Sequence, residues 1–208
     1  MSWLTSSRRG ARLVAPVTGV LLLAACTGGT PEAAESSTPA VVVTPSPTPT
    51  STPTESPSVD VTVKPTRPAA LDEPPSVDGA VAVAEYFVQL FPYINATGDL
   101  SAWSQLSHTD CIFCADSTST VEAKVANGQH DEGGALTVTA ASGVEVEPGA
   151  WYTVTVDFVQ DPSVTKDATG AVVKEFPETK RLRSNIVTIW QNGTWSVRGV
   201  DSSTAPTT

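Results

Sequence analysis

The sequence predicts an α+β fold, in which three N-terminal helices pack on a curved antiparallel sheet of about four to five strands. Three observations lead to this class. Apolar residues recur at helical spacing between residues 78 and 127, and they alternate with polar residues at strand spacing in the second half of the chain. Asn192-Gly193 separates two strand-like runs as a two-residue hairpin turn would.

The three predicted helices are separated by turn signals. The first covers residues 78–95, where Ser76 or Asp78 can accept the free amides at its start and Pro92 should kink or end it. A short helix with Asp99 as its N-cap is predicted over residues 100–106, and a third runs from Cys114 to Asn127-Gly128. The inner face of the first helix is predicted to carry Ala80, Val83, Ala84, Phe87, Leu90, Phe91 and Ile94.

The strands are predicted over residues 136–146, 152–158 and 181–190. The hairpin turn should pair Gln191 with Thr194 and place Trp190 opposite Trp195. Residues 161–177 hold two prolines and a glycine, which predicts a long loop with room for a small strand at 171–174.

The first 25 residues have the three regions of an export signal: Arg8, Arg9 and Arg12, then an apolar run over residues 13–23, then small residues. The run is too short to span a membrane, which needs about 20 apolar residues. Leu23-Ala24-Ala25-Cys26 resembles the lipobox of bacterial lipoproteins. The resemblance implies cleavage before Cys26, a diacylglycerol on its sulfur, and a protein anchored to the extracytoplasmic face of the cell membrane.

A tether should follow the anchor. Residues 26–75 are rich in Pro, Thr and Ser, which supply too little apolar area to offset the entropy of ordering, so a disordered linker is expected. Such a linker would hold a folded domain away from the membrane. The domain is expected over residues 76–202, and residues 203–208 are expected to be a disordered tail.

The charge of the chain excludes one large class of partner. The formal net charge is -10, and a nucleic-acid partner would require clustered lysine and arginine. His108 and His130 are not at metal-ligand spacing, and the sequence contains no glycine-rich phosphate loop and no Gly-x-Ser-x-Gly elbow. The sequence therefore predicts no metal, cofactor or nucleic acid.

The chain has three cysteines, and lipidation of Cys26 would leave Cys111 and Cys114. An even number outside the cytoplasm indicates a disulfide, here between two residues at a predicted helix start. A redox-active dithiol is the alternative, because a helix N-terminus stabilises a thiolate. No βαβ pattern surrounds the pair, which favours a structural bond.

Several motifs together resemble a known family. Phe87-x-x-Leu-Phe, Thr97-Gly98-Asp99, Asp110-Cys111-x-x-Cys114 and a helix ending in Asn127-Gly128 are similar to those of actinobacterial lipoproteins of unknown function, whose domain resembles the nuclear transport factor two-like cone fold. The resemblance implies no particular activity. Here all three helices precede every strand, which departs from the better-known cone folds.

The expected function is a non-catalytic binding or interaction domain of the cell envelope, whose partner is an envelope protein or a small ligand. A pocket of the cone would use Tyr86, Trp103, Trp151 and Tyr152. The first alternative is an enzyme of the isomerase or dehydratase type, in which Tyr86, Tyr152, Asp157 or His130 would act on a ligand proton. The second is a thiol-redox protein that uses Cys111 and Cys114.

The basic residues Lys180, Arg181 and Arg183 indicate cross-strand ion pairs, with an anion site as the alternative.

Overall fold

The computed structural model describes residues 59–205. The predicted signal peptide, Cys26 and the first part of the linker lie outside these residues. Within residues 59–205, three α-helices precede all of the strands, as predicted. Among the described residues, no helix has both the length and the apolar character needed to cross a membrane.

Helix α1, Val77–Thr97, forms the layer that covers the main sheet. The hydroxyl of Ser76 caps it by accepting a hydrogen bond from the amide of Gly79 at 3.0 Å. The helix ends at Gly98, whose φ of 73° is in the left-handed region that suits glycine. The predicted inner face is confirmed: apart from the partly buried Phe91, its residues are at most 2% exposed.

Pro92 does not end α1, although it cannot donate a hydrogen bond to the preceding turn. Three buried residues, Tyr93, Ile94 and Asn95, follow it in the helix. Proline in a helix interior costs about 3 kcal/mol. Burial of the last turn against the rest of the domain compensates for this cost, so tertiary packing overrides the local preference.

Two shorter helices follow α1. Helix α2 is Ser101–Leu106, and the carboxylate of Asp99 accepts the amide of Ser101 at 2.9 Å. Helix α3 is Ile112–Ala126, so it begins before the predicted Cys114. The sulfur of Cys111 takes the capping position by accepting the amide of Cys114 at 3.2 Å.

The main sheet has four antiparallel strands in the order β2-β3-β6-β7. These are β2 Leu136–Glu147, β3 Trp151–Gln160, β6 Lys180–Gln191 and β7 Thr194–Thr204. The predicted hairpin is confirmed, with Gln191 opposite Thr194 and Trp190 opposite Trp195. One face of the sheet is covered by the helices and is termed the inner face. Its most buried side chains, each 0% exposed, are Tyr152, Val154, Val156, Ile186, Thr188 and Val197.

A second sheet includes two strands, β4 and β5, in the region predicted to be a loop. It has three antiparallel strands in the order β1-β4-β5: β1 His130–Gly133, β4 Ser163–Lys166 and β5 Val172–Phe176. The prediction of a long loop over residues 161–177 is therefore wrong for β4, whereas the small strand predicted at 171–174 is confirmed by β5. Asp167 organises the β4–β5 turn by accepting the amides of Thr169 and Ala171 at 2.9 and 3.0 Å.

Residues 59–75 pack against the domain, so its predicted start at residue 76 is too late. Val61 is 9% exposed, and residues Ala69–Asp72 form a short 3-10 helix. The indole of Trp195 donates to the carbonyl of Ala70 at 3.0 Å. Lys64 pairs with Asp99 at 2.9 Å. At the other end, β7 continues to Thr204, beyond the predicted boundary at 202.

Asp99 joins this N-terminal segment to α1 and α2. Its carboxylate accepts hydrogen bonds from Tyr93 at 2.7 Å and from the amide of Ser101. Hydrogen bonds from Ser101 and Tyr93, followed by the one from Lys64, hold the pKa of Asp99 well below its ordinary value. Because the folded-state pKa is lowered, the contribution of Asp99 to stability is present above the unfolded pKa of about 3.9 and is lost as the pH falls below it.

Candidate functional site

A cavity of about 220 Å³ lies between the helices and the inner face of the main sheet. All three helices and all four strands of the main sheet line it. The helices contribute Phe87, Val88, Phe91, Trp103 and Phe113. The sheet contributes Leu136, Phe158, Gln160, Leu182, Ser184, Ile186, Val200 and Ser202. The lining is therefore apolar apart from three neutral polar side chains.

Four aromatic rings form the helical wall of the cavity. Phe87 stacks on Trp103 with ring centroids 4.2 Å apart and planes at 22°. Phe113 lies 6.0 Å from Phe91 and 6.2 Å from Trp103, and Phe91 lies 6.2 Å from Trp103. Such aromatic pairs contribute about 0.5–1.5 kcal/mol each beyond the area that they bury. The wall is thus a connected aromatic cluster that is held by three separate helices.

The disulfide between Cys111 and Cys114 positions one ring of this wall. Phe113 lies within the four-residue ring that the bond closes, and it contacts the cavity. Ile112, its neighbour, is 76% exposed. The indole of Trp103 donates to the carbonyl of Cys114 at 3.3 Å. The disulfide therefore couples the start of α3 to two of the aromatic rings.

The polar groups in the cavity are Gln160, Ser184 and Ser202. The hydroxyls of Ser184 and Ser202 are 2.7 Å apart and share a hydrogen bond across β6 and β7. General acid or base catalysis requires a titratable group within hydrogen-bond reach of the reacting atom. Of the described residues, those that line this cavity include no Asp, Glu, His, Lys, Cys or Tyr. The arrangement suits binding of an apolar group.

The four predicted pocket residues do not meet in one place. Trp103 lines the cavity, whereas Tyr86 lines a separate groove beside the segment that contains Lys64 and Arg67. Tyr152 is fully buried, and its hydroxyl donates to Glu145 at 3.1 Å. Burial, and then this hydrogen bond, raise the pKa of Tyr152.

Trp151 lies on the opposite face of the sheet from Tyr152, because adjacent strand residues alternate between faces. Its ring packs beneath the guanidinium of Arg198 at 5.0 Å. The prediction that Tyr86, Trp151 and Tyr152 line the cavity is therefore wrong. Tyr86 lines the separate groove, Tyr152 is buried away from the cavity, and strand alternation places Trp151 on the other face of the sheet.

The residues considered for proton transfer are also outside the cavity. Asp157 is paired with Arg183 across β3 and β6 at 2.6 and 2.7 Å, and this pairing lowers the pKa of Asp157. The predicted cross-strand ion pair is thus confirmed for these two residues. His130 lies on β1 beside Glu132, 3.6 Å away. Within residues 59–205, no three His, Cys, Asp or Glu side chains are grouped closely enough to hold a metal ion.

Sequence reasoning missed Phe113 and the sheet wall of the cavity. Phe113 lies between the two cysteines, and a helix that started at Cys114 would leave it outside. A start at Cys111 would have placed Phe113 in the first turn of α3. Leu182, Ile186 and Val200 share the inner face because of the β6–β7 register, in which Ile186 is opposite Val200.

These features define a class of protein: an α+β domain whose helices cover one face of an antiparallel sheet and enclose an apolar cavity. The chain belongs to a family of unknown function, DUF6318, whose model matches residues 50–201. No curated protein matches the chain. The family assignment agrees with the resemblance to proteins without an assigned activity.

Three solved structures are similar to the chain at low sequence identity. The intermembrane space region of the chloroplast protein ARC6 matches with a TM-score of 0.51 and 8% identity, over 63% of this chain and 98% of that chain. An NTF2-like protein of unknown function in nutrient uptake from Rhodospirillum rubrum ATCC 11170 has a TM-score of 0.39 and 16% identity, over 59% and 98%. An uncharacterized protein with a cystatin-like fold from Caulobacter vibrioides has a TM-score of 0.39 and 12% identity, over 60% and 88%. The first match shows a shared fold alone, and the other two carry no argument.

Proposed function

We propose that this protein is a non-catalytic binding domain of the cell envelope, anchored to the membrane through Cys26, whose cavity holds an apolar group of a ligand. The observation that carries the binding proposal is the composition of the cavity wall. Five aromatic rings and several aliphatic side chains surround it, with only neutral polar groups among them. Ligand sites are commonly concave and apolar with few polar groups, and this cavity is smaller than the usual 300–1,000 Å³ or so. It therefore suits the aromatic rings or the alkyl chain of a single small ligand.

The two enzymatic alternatives have less support. Proton transfer in the cavity lacks a titratable side chain among the described lining residues. Thiol exchange requires access to a sulfur, and Cys111 and Cys114 are each 1% exposed. We therefore assign the disulfide a structural part in the binding domain.

The binding proposal is tested with the apolar fluorescent probe N-phenylnaphthylamine and the full chain. Saturable binding is expected, with an affinity that falls about tenfold in Val200→Phe, because the larger side chain fills the cavity. Val159→Phe is the matched control. Val159 lies on the outer face of β3, and its replacement should leave the affinity unchanged. Failure of the probe to saturate, or equal affinities for wild type and Val200→Phe, would overturn the proposal.

The anchoring proposal depends on the sequence around Leu23 and Cys26 and is tested separately. In a bacterial host with lipoprotein processing, the full chain should fractionate with membranes, and its N-terminal peptide should carry fatty acid on Cys26. Cys26→Ala should abolish the lipid and release the protein from membranes. Two or more acyl chains anchor a protein stably, whereas a protein without acyl chains lacks this anchor. Cys111→Ala should remain lipidated. Recovery of unmodified wild-type protein in the soluble fraction would refute the anchor.

A further inference from the structure

A second recess adjoins the apolar cavity. It has a volume of about 350 Å³, and Phe91 and Gln160 line both spaces. The charged and polar residues around it come from α1, α3, β1, the end of β3, the β4–β5 hairpin and the start of β6 with the loop before it. An apolar chamber thus meets a polar chamber at a shared boundary.

One ion pair in the recess is already complete. Lys124 lies 2.5 Å from Asp131 and donates to Asn95 at 2.9 Å, and the hydroxyl of Thr165 donates to Asp131 at 2.7 Å. The side chains of Lys124 and Asp131 are only 20% and 16% exposed. This network joins the second sheet to α1 and α3. Its charges compensate each other, so it contributes little to recognition of a charged ligand.

Four further charges line the same recess: Lys174, Lys180, Asp161 and Glu178. Within residues 59–205, none of the four has an ion-pair partner within 4.0 Å. The ammonium of Lys174 lies over the ring of Phe176, 4.6 Å from its centroid. Two uncompensated positive and two uncompensated negative groups therefore face one polar space.

We propose that the cavity and the recess form one site for a single-chain amphiphile with a zwitterionic head. This inference rests on the proposed function, since the apolar chain occupies the cavity of that proposal. The anionic part of the head meets Lys174 and Lys180, and the cationic part meets Asp161 and Glu178. A head of one sign would be attracted by one pair and repelled by the other. Gln160, at the boundary, supplies both a donor and an acceptor to the atoms between chain and head.

The test measures displacement of N-phenylnaphthylamine from the full chain by three detergents with the same chain, each below its micellar concentration. Dodecylphosphocholine, the zwitterion, should displace the probe at about fivefold lower concentration than dodecyl sulfate or dodecyl maltoside, as expected for a few exposed charge contacts. Phosphocholine alone should not displace it, because the head lacks the apolar chain.

Two variants test the assignment of the head contacts. Lys180→Gln and Glu178→Gln should each reduce the preference for dodecylphosphocholine over dodecyl maltoside by about threefold. Arg181→Gln is the matched control: Arg181 neighbours Lys180 on β6 and is exposed, but it does not line the recess. The Arg181→Gln variant should show the same preference for dodecylphosphocholine over dodecyl maltoside as wild type.

The outcomes separate this inference from the proposed function. Equal displacement by the three detergents, or an unchanged preference in Lys180→Gln and Glu178→Gln, would overturn the zwitterion inference and leave the apolar cavity in place. Displacement by phosphocholine alone would also overturn it. Failure of the probe to bind at all would remove the proposed function itself.

Discussion

Replacement of Trp103 by alanine is expected to lower the free energy of unfolding by about 3–5 kcal/mol, the usual cost for a large buried aromatic residue. Trp103 is 0% exposed, stacks on Phe87, and donates a hydrogen bond to the carbonyl of Cys114. Truncation would enlarge the cavity and remove the indole's hydrogen bond to that carbonyl. Urea unfolding followed by circular dichroism measures the change.

Trp151→Ala is the matched control for this experiment. Trp151 is partly exposed on the other face of the sheet, so its loss should cost clearly less than the loss of Trp103. Trp103→Phe should recover part of the stability, because a ring would again face Phe87. Equal losses for Trp103→Ala and Trp151→Ala would contradict the central position that we assign to Trp103.

Replacement of both Cys111 and Cys114 by serine should lower the free energy of unfolding by about 2 kcal/mol, which is the loop-entropy value for so short a ring. It should also weaken binding of N-phenylnaphthylamine, because Phe113 would no longer be held by the closed ring. Serine is a good N-cap, so loss of the cap of α3 would not explain the effect. Equilibrium unfolding and probe titration measure the two quantities.

Two single variants separate the contribution of Phe113 from that of the bond. Phe113→Ala should weaken probe binding while the disulfide stays intact. Ile112→Ala, in the same ring, should change neither binding nor stability by much, because Ile112 is largely exposed. If the double serine variant lost stability but bound the probe like wild type, the disulfide would have no part in shaping the cavity.

Local signals predicted the helices and the hairpin well. Ser76 caps α1 as expected, Gly128 has a φ of 67° just after α3, and Asn192-Gly193 forms the β6–β7 turn. Each depends on a few adjacent residues whose chemistry is visible in the sequence. The continuation of α1 through Pro92 was only partly predictable from local signals, because it depends on the burial of Ile94 against distant parts of the chain.

The second sheet could not be predicted in the same way. The sequence of β1, His-Asp-Glu-Gly, has no alternation of apolar and polar residues. The strand is stabilised by pairing with β4 and by the contacts of Asp131 with Lys124 and Thr165. Strand β4, which contains Thr165, lies about 30 residues or more from β1 in the chain, so this pairing becomes evident only in the folded structure.

The candidate site was only partly predictable for a related reason. The preference for Trp and Tyr identified Trp103 but overlooked Phe113 and the aliphatic wall. Strand alternation alone would have separated Trp151 from Tyr152. The placement of α1 and α3 over the sheet decides which inner-face residues border the cavity. The other inner-face residues pack directly against the helices.

The two outer strands of the main sheet have consequences for self-association. The register of β2 against β3 leaves Thr139 and Val146 unpaired, so the backbone of this border strand is irregular. Helix α1 also packs closely over β2, because a side chain at Gly143 would contact Val77 and Val81. At the opposite border, the amide of His108 donates to the carbonyl of Val197 on β7. A strand from another molecule would therefore meet an irregular backbone along β2 and an occupied carbonyl at Val197 of β7, which disfavours continuous edge-to-edge pairing of the main sheet.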